Sequence, residues 1–148
     1  MIARLSDSVA PEVQTISRGS ASERAVTTFT GIENIFATSI DDDITGTAGA
    51  NTILGRDGDD RINGGSGDDN LQGGLGRDLI TGGRGNDRID GGSDPNDYAY
   101  YSGTQSQYAI STSGGVTTVA WIGPGDGDGT DTLASIEFLS FDDGCLYL

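Results

Sequence analysis

GGSGDDNLQ at residues 64–72, GGLGRDLIT at 73–81 and GGRGNDRID at 82–90 share one pattern: paired glycines, a glycine at position four, Asp at six and an aliphatic at eight. The nine-residue register extends upstream through GRDGDDRIN (55–63), GTAGANTIL (46–54) and ATSIDDDIT (37–45). Downstream, GGSDPNDYA starts on time at Gly91 but carries one extra residue. Position eight is Ile44, Ile53, Ile62, Leu71, Ile80 and Ile89; position six is Asp42, Asp60, Asp69, Asp78 and Asp87, with Asn51 the exception. Self-similarity at so short a period signals a solenoid, in which a unit buries its apolar side only against neighbouring units.

Each unit reads as a turn followed by a short strand. The paired glycines permit positive φ and close approach of stacked backbones, and one Ile or Leu per unit points inward from the strand. Two units complete a coil, so a position recurs on the same side every 18 residues. Asp42, Asp60 and Asp78 should line one edge and Asn51, Asp69 and Asp87 the other. Carboxylates stacked at about 4.8 Å repel unless a cation lies between them. Carboxylates plus turn carbonyls form a hard oxygen donor set that suits Ca²⁺ better than Mg²⁺. The expected ligands are those six side chains, Asp97 in the irregular unit, and turn residues offering carbonyls: Gly55, Gly64, Gly65, Ser66, Gly67, Gly73, Gly74, Leu75, Gly76, Gly82, Gly83, Arg84, Gly85, Gly91 and Gly92.

The units resemble the GGxGxDxUx nonapeptide of RTX, or hemolysin-type, calcium-binding proteins, whose β-helical repeat is a known calcium binder. Units 64–72, 73–81 and 82–90 match every fixed position. In that family the first six residues form the turn and the last three the strand. The resemblance implies an all-β fold: a right-handed parallel β-roll binding several calcium ions, followed here by a small antiparallel β cap. A Gly/Asp-rich tract also fits a solvated acidic linker, but a linker would not hold an acid and an aliphatic in fixed phase through six units. Without calcium the linker description is expected to apply, because so few aliphatics cannot offset the entropy of ordering the backbone, and metal binding then supplies folding free energy.

Composition narrows the alternatives. The 148 residues are only 34% hydrophobic, 25 are glycine, and the net charge is −15. All eight basic residues are Arg, the last being Arg88, so nucleic acid and anionic membrane are poor partners. The absence of His argues against a zinc site or a Ser/His/Asp triad. Cys145, the one cysteine, is expected as a small apolar residue in a terminal strand. MIARLSDSVAPEVQ lacks the apolar core of a signal peptide, and no stretch is long enough to span a bilayer.

Four regions are expected: a flexible leader or remnant at 1–25, a lead-in strand at 26–36, the β-roll at 37–97, and a C-terminal β cap with a type I secretion signal region at 98–148. YAISTS (108–113) and VTTVAWI (116–122), separated by Gly114 and Gly115, read as a hairpin. Residues 98–148 resemble the C-terminal extension common after RTX repeats in secreted bacterial calcium-binding proteins. TTFTGIENI (27–35) echoes DTLASIEFL (131–139), placing Ile32–Glu33 against Ile136–Glu137. DGDGTDTLASIE (126–137) sets acids at EF-hand spacing but lacks the glycine at loop position six and follows WIGPG instead of a helix, so a solvated turn is expected there, with an acidic loop of incidental or weak calcium affinity as the alternative.

The expected function is calcium binding with calcium-induced folding of a secreted bacterial module, exported by a type I machinery and not itself an enzyme. A polysaccharide-binding accessory role, resembling modules of alginate epimerases, is the alternative. It calls for a basic or aromatic stripe along one face, and the repeats show no single such row.

Overall fold

The computed structural model describes residues 13–15, 25–28, 33–125 and 127–148, with side chains described from residue 33 onward. Ten short strands lead up the roll: β1 (Val13–Thr15), β2 (Ala25–Thr28), β3 (Asn34–Phe36), β4 (Asp42–Thr45), β5 (Thr52–Asp57), β6 (Arg61–Ser66), β7 (Asn70–Leu75), β8 (Leu79–Arg84), β9 (Arg88–Gly92) and β10 (Tyr98–Tyr100). Successive strands fall alternately into two sheets and pair in parallel with the strand two before and two after. This is the parallel β-solenoid that the 18-residue spacing predicts. Val13–Thr15, inside the stretch expected as a leader, pairs in parallel with β3; residues 1–12, 16–24 and 29–32 lie outside the described residues.

The strands of the complete units run five or six residues, longer than the three expected. They continue into the next turn because position two also pairs across coils, Gly65 with Gly83 and Gly74 with Gly92. Gly74 shows why glycine is needed: its φ is +127°, and a Cβ there would land on the Arg56 carbonyl of the coil below.

Position eight builds the core. In one sheet Ile35, Ile53, Leu71 and Ile89 stack in register, and in the other Ile44, Ile62 and Ile80 are followed by Ala99. All are buried. Each rung is a single aliphatic side chain, so burial per coil is small and the polar edges carry much of the organisation.

The C-terminal region contains a 3₁₀ turn (Gln105–Gln107), β11 (Tyr108–Ser113), β12 (Val116–Trp121), β13 (Thr130–Ala134), β14 (Phe138–Phe141) and β15 (Gly144–Tyr147). β11 and β12 form the expected hairpin through Gly114 and Gly115, both at positive φ. The antiparallel cap consists of this hairpin, which pairs onto β13, and of β15 against β14. β13 and β14 do more: each extends a sheet of the roll in parallel, placing Leu133 on Ile89 and Leu139 on Ala99. Aromatics fill the broadened end, where Tyr108 packs against Tyr101, Trp121 and Phe141. Cys145 lies in the terminal strand and is exposed. Among the described residues no helix is long and apolar enough to cross a membrane.

Candidate metal centre

Position six forms two ladders of backbone-to-carboxylate hydrogen bonds, one along each edge. On one edge the Asp42 amide donates to Asp60 Oδ1 at 2.8 Å, Asp60 to Asp78 at 2.9 Å and Asp78 to Asp97 at 2.8 Å. On the other, Asn51 donates to Asp69 at 2.7 Å and Asp69 to Asp87 at 2.8 Å. The extra residue of GGSDPND is accommodated before Asp97, which keeps its place in the column at a separation of 19.

Each ladder uses one carboxylate oxygen and leaves the other. Oδ2 of Asp60, Asp69, Asp78, Asp87 and Asp97 is buried with no hydrogen-bond partner. These residues are 0–2% exposed. A buried polar atom without a partner costs about 1–3 kcal/mol and more when charged, so five such atoms at equivalent positions ask for a ligand. The position-one glycines enclose the same space. A Cβ on Gly64 would meet Asp69 Oδ2 and, at 2.7 Å, the Gly82 carbonyl of the next coil; Gly55 and Gly73 relate in the same way to Asp60 with Gly73 and to Asp78 with Gly91. The donors converging there are all oxygen, two consecutive carboxylates per column plus main-chain carbonyls. That set fits calcium. Among the described residues no three Asp, Glu or Cys side chains meet at one point, so main-chain oxygens must complete any site.

Electrostatics agree. Burial, and then the neighbouring carboxylates, push Asp60 and Asp69 up to about 7 and Asp78 and Asp97 to about 6, although the ladder amide holds each partly down. Asp87 is raised for the same reasons. A carboxylate this reluctant to ionise alone is one a divalent cation would compensate.

The remaining expected residues divide by position. Gly65, Gly83 and Gly92, like Gly74, hold position two, and Gly67, Gly76 and Gly85 hold position four, all at positive φ. Ser66, Leu75 and Arg84 occupy position three; the Leu75 and Arg84 carbonyls each accept the position-four amide of the coil below, from Gly58 and Gly67, at 2.8 Å. Asp42 and Asn51 stand apart. Thr38 donates its amide and hydroxyl to Asp42 Oδ2 at 2.8 and 2.7 Å, and the Thr47 amide donates to Asn51 Oδ1 at 2.6 Å. Where Thr replaces the second glycine, it bonds one oxygen of the position-six side chain, although Asp42 Oδ1 stays buried without a hydrogen-bond partner.

Two ladder members lie beyond the expected set. The Asp87 amide donates to Asp131 Oδ1 at 2.9 Å, and the Asp97 amide to Glu137 Oε2 at 3.0 Å. Both belong to the stretch expected as a solvated turn. It is instead partly strand, with Asp131 buried, and it has neither flanking helix nor EF-hand geometry. The upstream echo has the same basis: the Glu33 carbonyl accepts from Thr52 just as position-six carbonyls accept elsewhere, and Glu33 precedes Ile35 as Glu137 precedes Leu139. A second, exposed ladder runs at position five, where the Arg77 amide bonds Asp59 and the Asn86 amide bonds Asp68.

No curated protein matches the chain. Among solved structures, the extracellular lipase LipA from Serratia marcescens is similar at 22% identity and a TM-score of 0.35, over 78% of this chain and 15% of that one. The chain thus spans about 15% of the lipase's length. The family of RTX calcium-binding nonapeptide repeats matches residues 36–71 and 63–97. Residues 36–97, which hold the carboxylate columns from Asp42 to Asp97, thus match the family of RTX calcium-binding nonapeptide repeats.

Proposed function

We propose that the chain is a structural module of a secreted bacterial protein whose roll folds when calcium enters its turns, and that it is not itself an enzyme. The observation that carries this reading is the set of buried, unpartnered Oδ2 atoms on Asp60, Asp69, Asp78, Asp87 and Asp97. When bound, calcium would neutralise these carboxylates and cross-link consecutive coils; Gly64, Gly73 and their equivalents leave room for it, and the ladder amides hold the Oδ1 atoms in place. With calcium absent, the buried charges oppose closure and the net charge of −15 adds to the repulsion.

The test is far-UV circular dichroism of the full chain in chelator, magnesium and calcium. Calcium alone should convert a disordered spectrum to a β-rich one, with a sigmoidal titration in the 10⁻⁴ to 10⁻³ M range typical of extracellular sites. A β-rich spectrum unchanged in excess chelator would sink the reading. Export is a separate part of the proposal: removal of about the last 50 residues should stop secretion through a matching type I system, and normal yield of the truncated chain would refute it.

The saccharide alternative gains little. Tyr98, Phe138 and Tyr147 do form an outward row on one sheet. However, Tyr98 and Phe138 stack on each other at 4.6 Å and 14°, so those ring faces are mutually covered.

A further inference from the structure

The turn preceding β13 repeats the construction of the roll outside the matched repeats. DGDGTDTLA (126–134) has glycine at its second and fourth positions, Asp131 at the sixth and Leu133 at the eighth. Its register is set contact by contact. The Gly85 amide donates to the Asp128 carbonyl at 3.3 Å, as the Gly67 amide does to Arg84. The Thr130 amide bonds Asn86 Oδ1 as the Asn86 amide bonds Asp68 Oδ1. A Cβ on Gly129, at φ +82°, would land on the Gly85 carbonyl, just as one on Gly85 would land on Gly67. Residues 128–131 are therefore positions three to six of another turn on the Asn51–Asp69–Asp87 edge, although 44 positions separate Asp131 from Asp87.

The same deficit recurs there. Asp131 is 1% exposed and Asp87 2%, and Oδ2 of each is buried without a hydrogen-bond partner. The buried Tyr101 hydroxyl faces Asp131 but is itself left without a hydrogen bond of good geometry. We propose that a further calcium ion binds between the turn at 82–87 and the turn at 128–131, held by Asp87 and Asp131. The proposal rests on the reading of the repeat turns as calcium sites and extends it past their last matched residue. The ion would tie the last coil of the repeats to β13, leaving β11 and β12 as an insertion between two consecutive turns of one column.

Crystals of the full chain grown with terbium in place of calcium locate the ions directly. Anomalous peaks between Asp69 and Asp87 and also between Asp87 and Asp131 support the proposal. A peak between Asp69 and Asp87 with none at Asp131 overturns it and leaves the function of the repeats standing, whereas no peak at any turn removes both. In solution, D131N keeps the Oδ1 acceptor for the Asp87 amide, and Asn51 shows that asparagine fits this column. Calorimetry should find D131N binding one calcium fewer than the unmodified chain, while the charge-matched control D90N binds the full number. An unchanged count in D131N overturns the proposal.

Discussion

At the scale of single residues, the two oxygens of a position-six carboxylate have different tasks. Oδ1 of Asp69 receives the Asn51 amide and orders the neighbouring coil, while Oδ2 faces the space beside Gly64. Asn51 lacks the charge, and its Oδ1 already accepts from Thr47. Asp69→Ala should therefore lose more bound calcium, and need more calcium to fold, than Asn51→Ala, because Asp69 belongs to two successive turn pairs. Calorimetric titration of both variants decides it; equal losses would mean that the same-side pairing is wrong. Asp42 resembles Asn51 in that a Thr bonds one of its oxygens, Thr38 having taken Oδ2, but its Oδ1 remains buried without a hydrogen-bond partner. The spacing of acids reveals the columns, but whether position two donates to the carboxylate depends on a Thr hydroxyl and amide that the repeat pattern registers only as a missing glycine.

At the scale of elements, β13 is the next rung of the roll even though a hairpin precedes it. Leu133 stacks on Ile89 and is 1% exposed. Leu133→Ala should cost about 2–5 kcal/mol, raise the calcium midpoint, and match Ile89→Ala in effect, with Ile110→Ala on the hairpin costing less. Far-UV titrations of the three variants check the order; a normal midpoint for Leu133→Ala would make β13 an independent cap. The periodic units declare the solenoid openly, because six of them repeat an acid and an aliphatic in phase. The continuation at 126–134 is harder to see: acid replaces the first glycine, the hairpin breaks the spacing, and only six positions separate Leu133 from Leu139. The acids of this stretch were visible as a near-miss EF-hand, but which turn they complete depends on the sheet pairing that brings β13 beside β9.

At the scale of the whole molecule, the buried acids set a pH response. Asp60, Asp69 and Asp131 reach about 7 and Asp78 and Asp97 about 6 in the metal-free fold, burial being the main cause. In the unfolded chain they titrate near ~4. Between these values the folded form holds more protons than the unfolded one, so its stability rises as pH falls and is lost as pH rises through 6 to 7. In chelator, the β signal should be stronger at pH 5 than at pH 8, and the increment produced by added calcium correspondingly smaller. A metal-free signal that grows with pH would contradict this origin.

The ladders also have a direction. Every position-six amide donates toward the C-terminus, from Asp42 to Asp60, from Asp69 to Asp87, and at the end from Asp87 to Asp131 and from Asp97 to Glu137, whereas the exposed position-five amides of Arg77 and Asn86 donate back to Asp59 and Asp68. Each coil is thus latched by a side chain that the ribosome adds at least 18 residues later, and the final latches come from beyond the hairpin. In a nascent chain these donor amides exist before the carboxylates that accept from them, so a position-six latch can close only after the following coil has been made. Loss of the last latch leaves an open end from which the coils can unwind one after another.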